Sequence, residues 1–366
     1  MGGKFSPNTN YGTVMKNFVI GAILSFLSAA PLAAQDRIPV LKSSAFSGSE
    51  RLALYSFTEH FKTDRSVAVL NAVNSRMQRL AFPIFETGTP QTGLLLKTGR
   101  VSPILSYDDN INGGNRSSDF DVGGFTFSGD PKFLAKEGVV IGGEVGGTLR
   151  YAYGRGRYFD LSGGLSAVYS PRHEISKYAI GVSACSRNHI QGWTFVDFCA
   201  RGNKLFTELD TSTSHAISTT GTQLFSFAGF DHEASIGVRQ SFYDSYDQTI
   251  ASFELTTSLG RPGSVSLGVE VGEHVNGANA LMDRIVLGYR TEVLNRPVSF
   301  SMSRSVFDGS SFFGLDREDK NYGLSVKASI TRQISLGISA RRNESTVEFF
   351  SYDSISLDLG IAGFTF

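Results

Sequence analysis

The chain has little charge and no bias in its sign: 34 basic and 34 acidic side chains make up 19% of its 366 residues. That balance gives no electrostatic reason to expect nucleic acid as a partner. Cysteine is nearly absent, with two residues and no CxxC pair, which argues against a cysteine-built metal centre. Proline is scarce, at 10 residues. Beyond the N-terminus no stretch stays apolar for about 18 residues, so no helix is expected to cross a membrane. The motifs G-x-S-x-G, H-E-x-x-H and the P-loop are all missing. The six histidines (His60, His173, His189, His215, His232 and His274) are scattered. Nothing here predicts an enzyme or a bound cofactor.

What the chain does have is glycine, 40 residues, with 29 phenylalanines and 13 tyrosines. Many glycines and aromatics with few long apolar runs predict a mostly β protein. The N-terminus predicts export. "MKNFVIGAILSFLSAAPLAAQ" carries Lys16, an apolar stretch from Phe18 to Leu27, and small residues up to Ala34. This is the pattern of a secretory signal with cleavage after Ala34. Residues 1–14 precede a complete signal that begins at Met15, so synthesis could start at either methionine.

Residues 35–98 differ from the rest. "SERLALYSFTEHF" (49–61) and "DRSVAVLNAVNSRMQRL" (64–80) space their apolar residues by three and four, as amphipathic helices do. Asp64 is a candidate N-cap for the second. A short helical periplasmic segment is therefore expected over 35–98.

From about residue 99 to 366 the period is two. "VVIGGEVGGTLRYAY" sets Val139, Ile141, Val145, Leu149 and Tyr151 on one face and Glu144, Thr148 and Arg150 on the other. "YFDLSGGLSAVYS", "SVSLGVEVG" and "NYGLSVKASI" repeat the alternation. A soluble sandwich would bury the apolar face against a second sheet, whereas a membrane barrel turns it to lipid and keeps a polar lumen. Three features favour the barrel. The segments are about ten residues long, enough to cross when tilted. Aromatics gather near their ends, at Tyr151, Tyr153, Tyr158, Phe159, Tyr169, Trp193 and Tyr322. Finally, short connections such as "YGRGR", "GRPG" and "LNRP" largely alternate with mostly long, polar ones. The expected fold is all-β: a transmembrane antiparallel barrel of about 14 strands in the outer membrane of a Gram-negative bacterium. Outer-membrane lipid is then its first partner. The last stretch, "SISLDLGIAGFTF", ends on Phe366 and resembles the signal read by the barrel-assembly machinery. Phe364 and Phe366 fall out of phase with Ile361, which a bulge near Gly363 would reconcile.

Two stretches, "SYDDNIN" (106–112) and "ARRNESTVEFFSYDSISLDLGIAGFTF" (340–366), resemble the barrel domain of the surface lipoprotein assembly modifier (Slam) family. The resemblance covers about residues 100–366. It implies a fourteen-stranded outer-membrane barrel that helps lipoproteins reach the bacterial surface, with a lipoprotein client. Members of that family carry a periplasmic domain of helical repeats, whereas residues 35–98 leave room for a pair of helices.

Three groups of residues are candidate sites. Asp108, Asn110, Asn112, Gly113 and Asp119 fit a calcium-loop spacing. Pro103, the alternating pattern and Arg116 favour a strand end and loop tip instead, leaving Asp108, Asp109 and Asp119 as a surface Ca²⁺ candidate. Cys185 and Cys199 flank a short turn around Gly192 and fall opposite each other in a regular hairpin, in line for a cross-strand disulfide or a reduced pair. The same register pairs Arg187 with Asp197. The lumen face is expected to carry Glu144, Arg150, Asp160, Lys177, Asp197, Arg201, Arg239, Glu254, Glu270, Arg290, Lys327, Arg341 and Asp358. These would form either stiffening ion pairs or a polar permeation path. The loop over 110–136 is long enough to fold back into the pore. The functional expectation is an export barrel similar to the Slam family. The alternatives are a porin-like passive diffusion channel for small hydrophilic solutes, or a structural or adhesin-like surface barrel. The N-terminal segment discriminates between exporter and pore.

Overall fold

The structure, a computed structural model, describes residues 38–84, 92–122, 125–260, 263–331 and 333–365. The signal over 1–34 and the terminal Phe366 lie outside the described residues. Three short helices lead the described chain: α1 (Ile38–Phe46), α2 (Glu50–Phe61) and α3 (Val67–Arg79). Ser49 caps α2 by accepting from the Leu52 N–H at 3.0 Å, with Glu50 in the first turn where the helix dipole favours an anion. Ser66, rather than Asp64, caps α3. The Asp64 carboxylate instead accepts from the Ser66 N–H at 2.9 Å, a local turn that competes with capping.

Fourteen strands close into one antiparallel barrel. They are β1 (Gly93–Asp108), β4 (Gly138–Gly154), β5 (Arg157–Ser170), β6 (Ile175–Gln191), β7 (Thr194–Phe206), β8 (Thr211–Phe227), β9 (Phe230–Tyr243), β10 (Asp247–Ser258), β11 (Ser264–Gly272), β12 (Ala280–Val293), β13 (Arg296–Phe312), β14 (Leu315–Ser329), β15 (Ile334–Ser345) and β16 (Tyr352–Ile361). A small hairpin, β2 (Asp119–Val122) and β3 (Phe125–Ser128), sits in the first long connection. β1 pairs with β16 to close the ring, Leu105 facing Leu359. The register then slips by one, so that β17 (Phe364–Thr365) continues the seam with Val101 facing Phe364. The slip lies at Gly363, where a side chain would collide with the Val101 carbonyl. The expected bulge is there.

The barrel begins at Gly93, six residues before the expected boundary at 99, so β1 claims the end of the supposed helical segment. The connections also depart from expectation. Only 109–137 is long. The others on that side run from two to seven residues, because strands such as β13 and β14 keep their alternation far past the apolar belt. The turns Ala228–Gly229, Leu294–Asn295 and Phe313–Gly314 hold both central residues at positive φ, the geometry that matches strand twist in two-residue hairpins.

Alternation decides which way each side chain points. Val145, Leu161, Val182, Phe198, Ile217, Ile236 and Val271 are exposed on the outer face and form an apolar belt. Aromatics such as Tyr151, Phe159, Phe225 and Tyr169 lie near its margins. Tyr158 and Trp193 do not join them. Tyr158 falls on the inward phase and is buried, and Trp193 packs edge-to-face on Tyr55 of α2, with ring centroids 5.0 Å apart.

Candidate functional site

The inward phase carries the chemistry. Its charges and hydroxyls sort into three zones along the lumen.

At the short-turn end the helices sit inside the barrel. Leu52 and Tyr55 of α2 pack with the inward-facing Phe195 and Leu224. Leu54 of α2, Val73 of α3, Leu80 and Ala81 pack with the inward-facing Ala152 and Tyr158. Burial of such side chains stabilises by about 1.5–3 kcal/mol each. Polar contacts fix the orientation. Arg51 grips Asp197 through two N–H···O bonds of 2.9 and 2.7 Å, and Arg187 donates to the same carboxylate at 2.6 Å. Burial disfavours the Arg51 cation, but the Asp197 hydrogen bond and charge outweigh it and hold the guanidinium protonated. Arg150 bridges Glu50 (2.5 Å), the Arg79 carbonyl (3.0 Å) and Asp160 (3.0 Å). Ser49 donates to Glu233, Ser43 to the Gly263 carbonyl, Ser258 to the Val40 carbonyl (2.8 Å), and Arg290 to the Ser47 carbonyl. Tyr55 and Ser226 share a hydrogen bond of 2.9 Å, and the Gly156 N–H donates to Ala81. The helices thus touch the four consecutive short-turn hairpins from β4 to β11, and β12 beyond them. The helices of the segment expected over 35–98 therefore lie within the short-turn mouth of the barrel.

In the middle zone Arg100 pairs with Glu144, and Glu270 accepts from both Arg239 and Arg284 at 3.1 Å. Arg201, Glu254 and Lys327 have no ion pair among the described residues. Inward Gly146, Gly164 and Gly181 follow one another across β4, β5 and β6. Their missing side chains let the wall recede beside Arg100, Glu144 and Arg201 in a cavity of about 1040 Å³. Cys185 and Cys199 are joined as a disulfide across β6 and β7, on the same face as Asp197.

At the opposite end the first connection folds back into the mouth. Ile111 is fully buried against Val140 and Ile175, with Val168 alongside. The residues with calcium-loop spacing are occupied in building this loop. Asp108 accepts from the Asn110 N–H, and Asn110 both accepts from and donates to Gly114. Buried Asn112 accepts from the Lys136 N–H and donates to the Leu134 carbonyl, while Gly113 supplies a φ of +74°. Cations meet the first two carboxylates: Lys177 reaches Asp108 at 2.7 Å, and Arg116 holds Asp109 through bonds of 2.9 and 2.7 Å. Asp119 takes Ser128 and Ser118. Among the described residues no group of three His, Cys, Asp or Glu side chains converges on a metal position, and the carboxylates of Asp108, Asp109 and Asp119 accept from protein donors. Burial raises the Asp109 pKa, but the Arg116 and Ser354 hydrogen bonds outweigh it and leave it below the ordinary carboxylate value. Arg116 also lies over the Tyr352 ring at 4.5 Å. A cavity of about 210 Å³ opens beneath, lined by Asp108, Asp109, Arg116, Arg341, Tyr352 and Asp358 among others.

All thirteen lumen candidates fall on the inward phase of the register, but the structure divides them. Arg150, Asp160, Asp197 and Arg290 hold or neighbour the helices, Lys177 holds the loop, and the rest border the space between or the mouth. Sequence reading missed Tyr158, Phe195 and Leu224. Their signal was a large apolar residue on the polar phase near a short turn, where a wet lumen would have no use for one.

No protein-family model and no curated protein matches the chain. Solved structures with a similar chain path include the outer membrane protein opdK from Pseudomonas aeruginosa, with TM-score 0.42, 8% identity, and 74% of this chain and 98% of that one covered. Pseudomonas putida OprB follows at 0.41, 7%, 75% and 94%. Pseudomonas aeruginosa OccK11 (OpdR) gives 0.39, 10%, 76% and 99%. At these scores the likeness carries no argument, and the functional reading stands on the chain's own geometry.

Proposed function

We propose that this chain is an outer-membrane channel of a Gram-negative bacterium, closed at its short-turn end by its own helices and open to small hydrophilic solutes when they shift. The exposed apolar belt supports membrane insertion. The observation that carries the channel reading is the division of the lumen. The plug zone is apolar and paired, while the middle zone opens a cavity of about 1040 Å³ beside Arg100, Glu144 and Arg201, of which Arg201 has no ion pair among the described residues. The mixed signs favour no strong ion selectivity.

The lipoprotein-export reading that follows from the Slam resemblance has one supporting observation. The stretch 62–68, including Val67 at the start of α3, stays exposed and could meet a client in the periplasm. In either reading the secretory signal delivers the chain and the C-terminal strand is offered to the barrel-assembly machinery.

The test is single-channel conductance in planar bilayers, whole chain against a variant lacking residues 38–84. The deletion must spare residues from 92 onward, because β1 starts at Gly93. The whole chain should be closed or flicker, and the variant should hold a stable open level. A folded variant that stays closed would overturn the plug and the channel together.

A further inference from the structure

The mouth cavity has a feature the plug and loop do not use. Of the charges that line it, Asp108 is paired with Lys177 and Asp109 with Arg116. Arg341 and Asp358 have no ion pair among the described residues, yet both face the same space. Their freedom is built into the register. Arg341 stands between Gly323 on β14 and Ser354 on β16, and Asp358 between Gly337 on β15 and Ser106 on β1. Each therefore has glycine on one side and serine on the other, with no cross-strand countercharge. Asp358 lies one strand over and four residues along from Ser354, the partner of Arg341, which sets the two Cα atoms about 14 Å apart at the usual strand rise and spacing. A guanidinium on a long flexible stem covers much of that gap. Ser106, Ser354 and Ser356 line the cavity around them and add hydroxyls.

We propose that this cavity binds a small zwitterion, its carboxylate on Arg341 and its ammonium on Asp358. A guanidinium binds carboxylate in a two-pronged geometry, and a carboxylate accepts an ammonium equally well. A plain anion would be held by Arg341 but repelled by Asp358, and a plain cation the reverse. A neutral sugar would leave both charges without a partner. Only a ligand with both signs satisfies both residues, and 210 Å³ limits it to the size of an amino acid. The site deepens the channel reading by naming a solute class, and rests on it only for the direction of travel.

Binding is measured by titration calorimetry on the whole chain in detergent, with three probes of one skeleton: 4-aminobutanoate, butanoate and butylamine. The zwitterion should bind at least about tenfold more tightly than either single-charge analogue, the scale of one added charge-assisted contact. Arg341→Gln should bring 4-aminobutanoate down to butylamine, and Asp358→Asn should bring it down to butanoate. Arg342→Gln, on the outward face of the same strand, should change nothing. Equal binding of the three probes, no binding at millimolar concentration, or an unchanged order in both variants overturns the site. Because no membrane is involved, selective binding without conductance would sink the channel reading and leave the site, whereas conductance without selectivity would do the opposite.

Discussion

At the short-turn end Arg51 and Asp197 meet with side chains only 10% and 5% exposed, beside Phe195 and Leu224. At the long-loop end Arg116 and Asp109 make the same two-pronged contact with 21% and 16% exposed, over a cavity lined mainly by polar side chains. The two closures use one chemical device in two dielectric settings. A buried pair is costly to break, because the partner left behind is an uncompensated charge in a dry place. A wetter pair is replaced by water at little cost. The plug is therefore expected to switch between few states, and the loop to adjust continuously.

The sharpest way to break this comparison is Arg51→Ala. Removing one member of a buried pair costs about 3–5 kcal/mol, and Arg187 still faces Asp197, so the lower figure applies. The plug's open population should rise by about two decades, read as open probability in planar bilayers. No change in open probability would mean that the apolar seat alone holds the helices. At the other end Arg116→Gln should cost about 1 kcal/mol or less and show as faster proteolysis within 109–137, with channel closure untouched. The smallest effect is in pH. The Asp109 pKa is depressed in the folded loop, so its contribution is complete above the unfolded carboxylate value near 4 and is lost as pH falls through the folded value. Loop protection should be flat from about pH 8 to 5 and fall below about pH 4, while Arg51 keeps its charge throughout. Loosening between pH 5 and 8 would point to another group.

Legibility followed the same divide. A strand period of two needs no partner to be read, so the belt at Val145 and Leu161 and the inward phase of Arg201 and Asp358 were visible from spacing alone. Even the seam bulge at Gly363 showed as a phase slip between Ile361 and Phe364. The calcium-like spacing over 108–119 misled because Asx side chains that turn a loop on itself are the same residues that ligate a cation. Tyr158 was read as girdle because aromatics suit either margin, although its own phase pointed inward.

The plug shows where reading stops. Amphipathic spacing pointed to helices with one apolar face over 49–61 and 64–80. What that face meets is a long-range matter. Leu52 finds Phe195 and Leu224, some 140 and 170 residues on, only after the barrel has closed and brought alternate hairpins around one axis. By itself the sequence determined strand phase, the apolar belt, the helices and the polar lumen, since each follows from local period and hydrophobicity. Only the tertiary structure decided that the helices fill one mouth, that the first loop folds into the other, and that Arg341 and Asp358 share a cavity. Those outcomes depend on which distant faces closure sets opposite one another, and period carries no information about that.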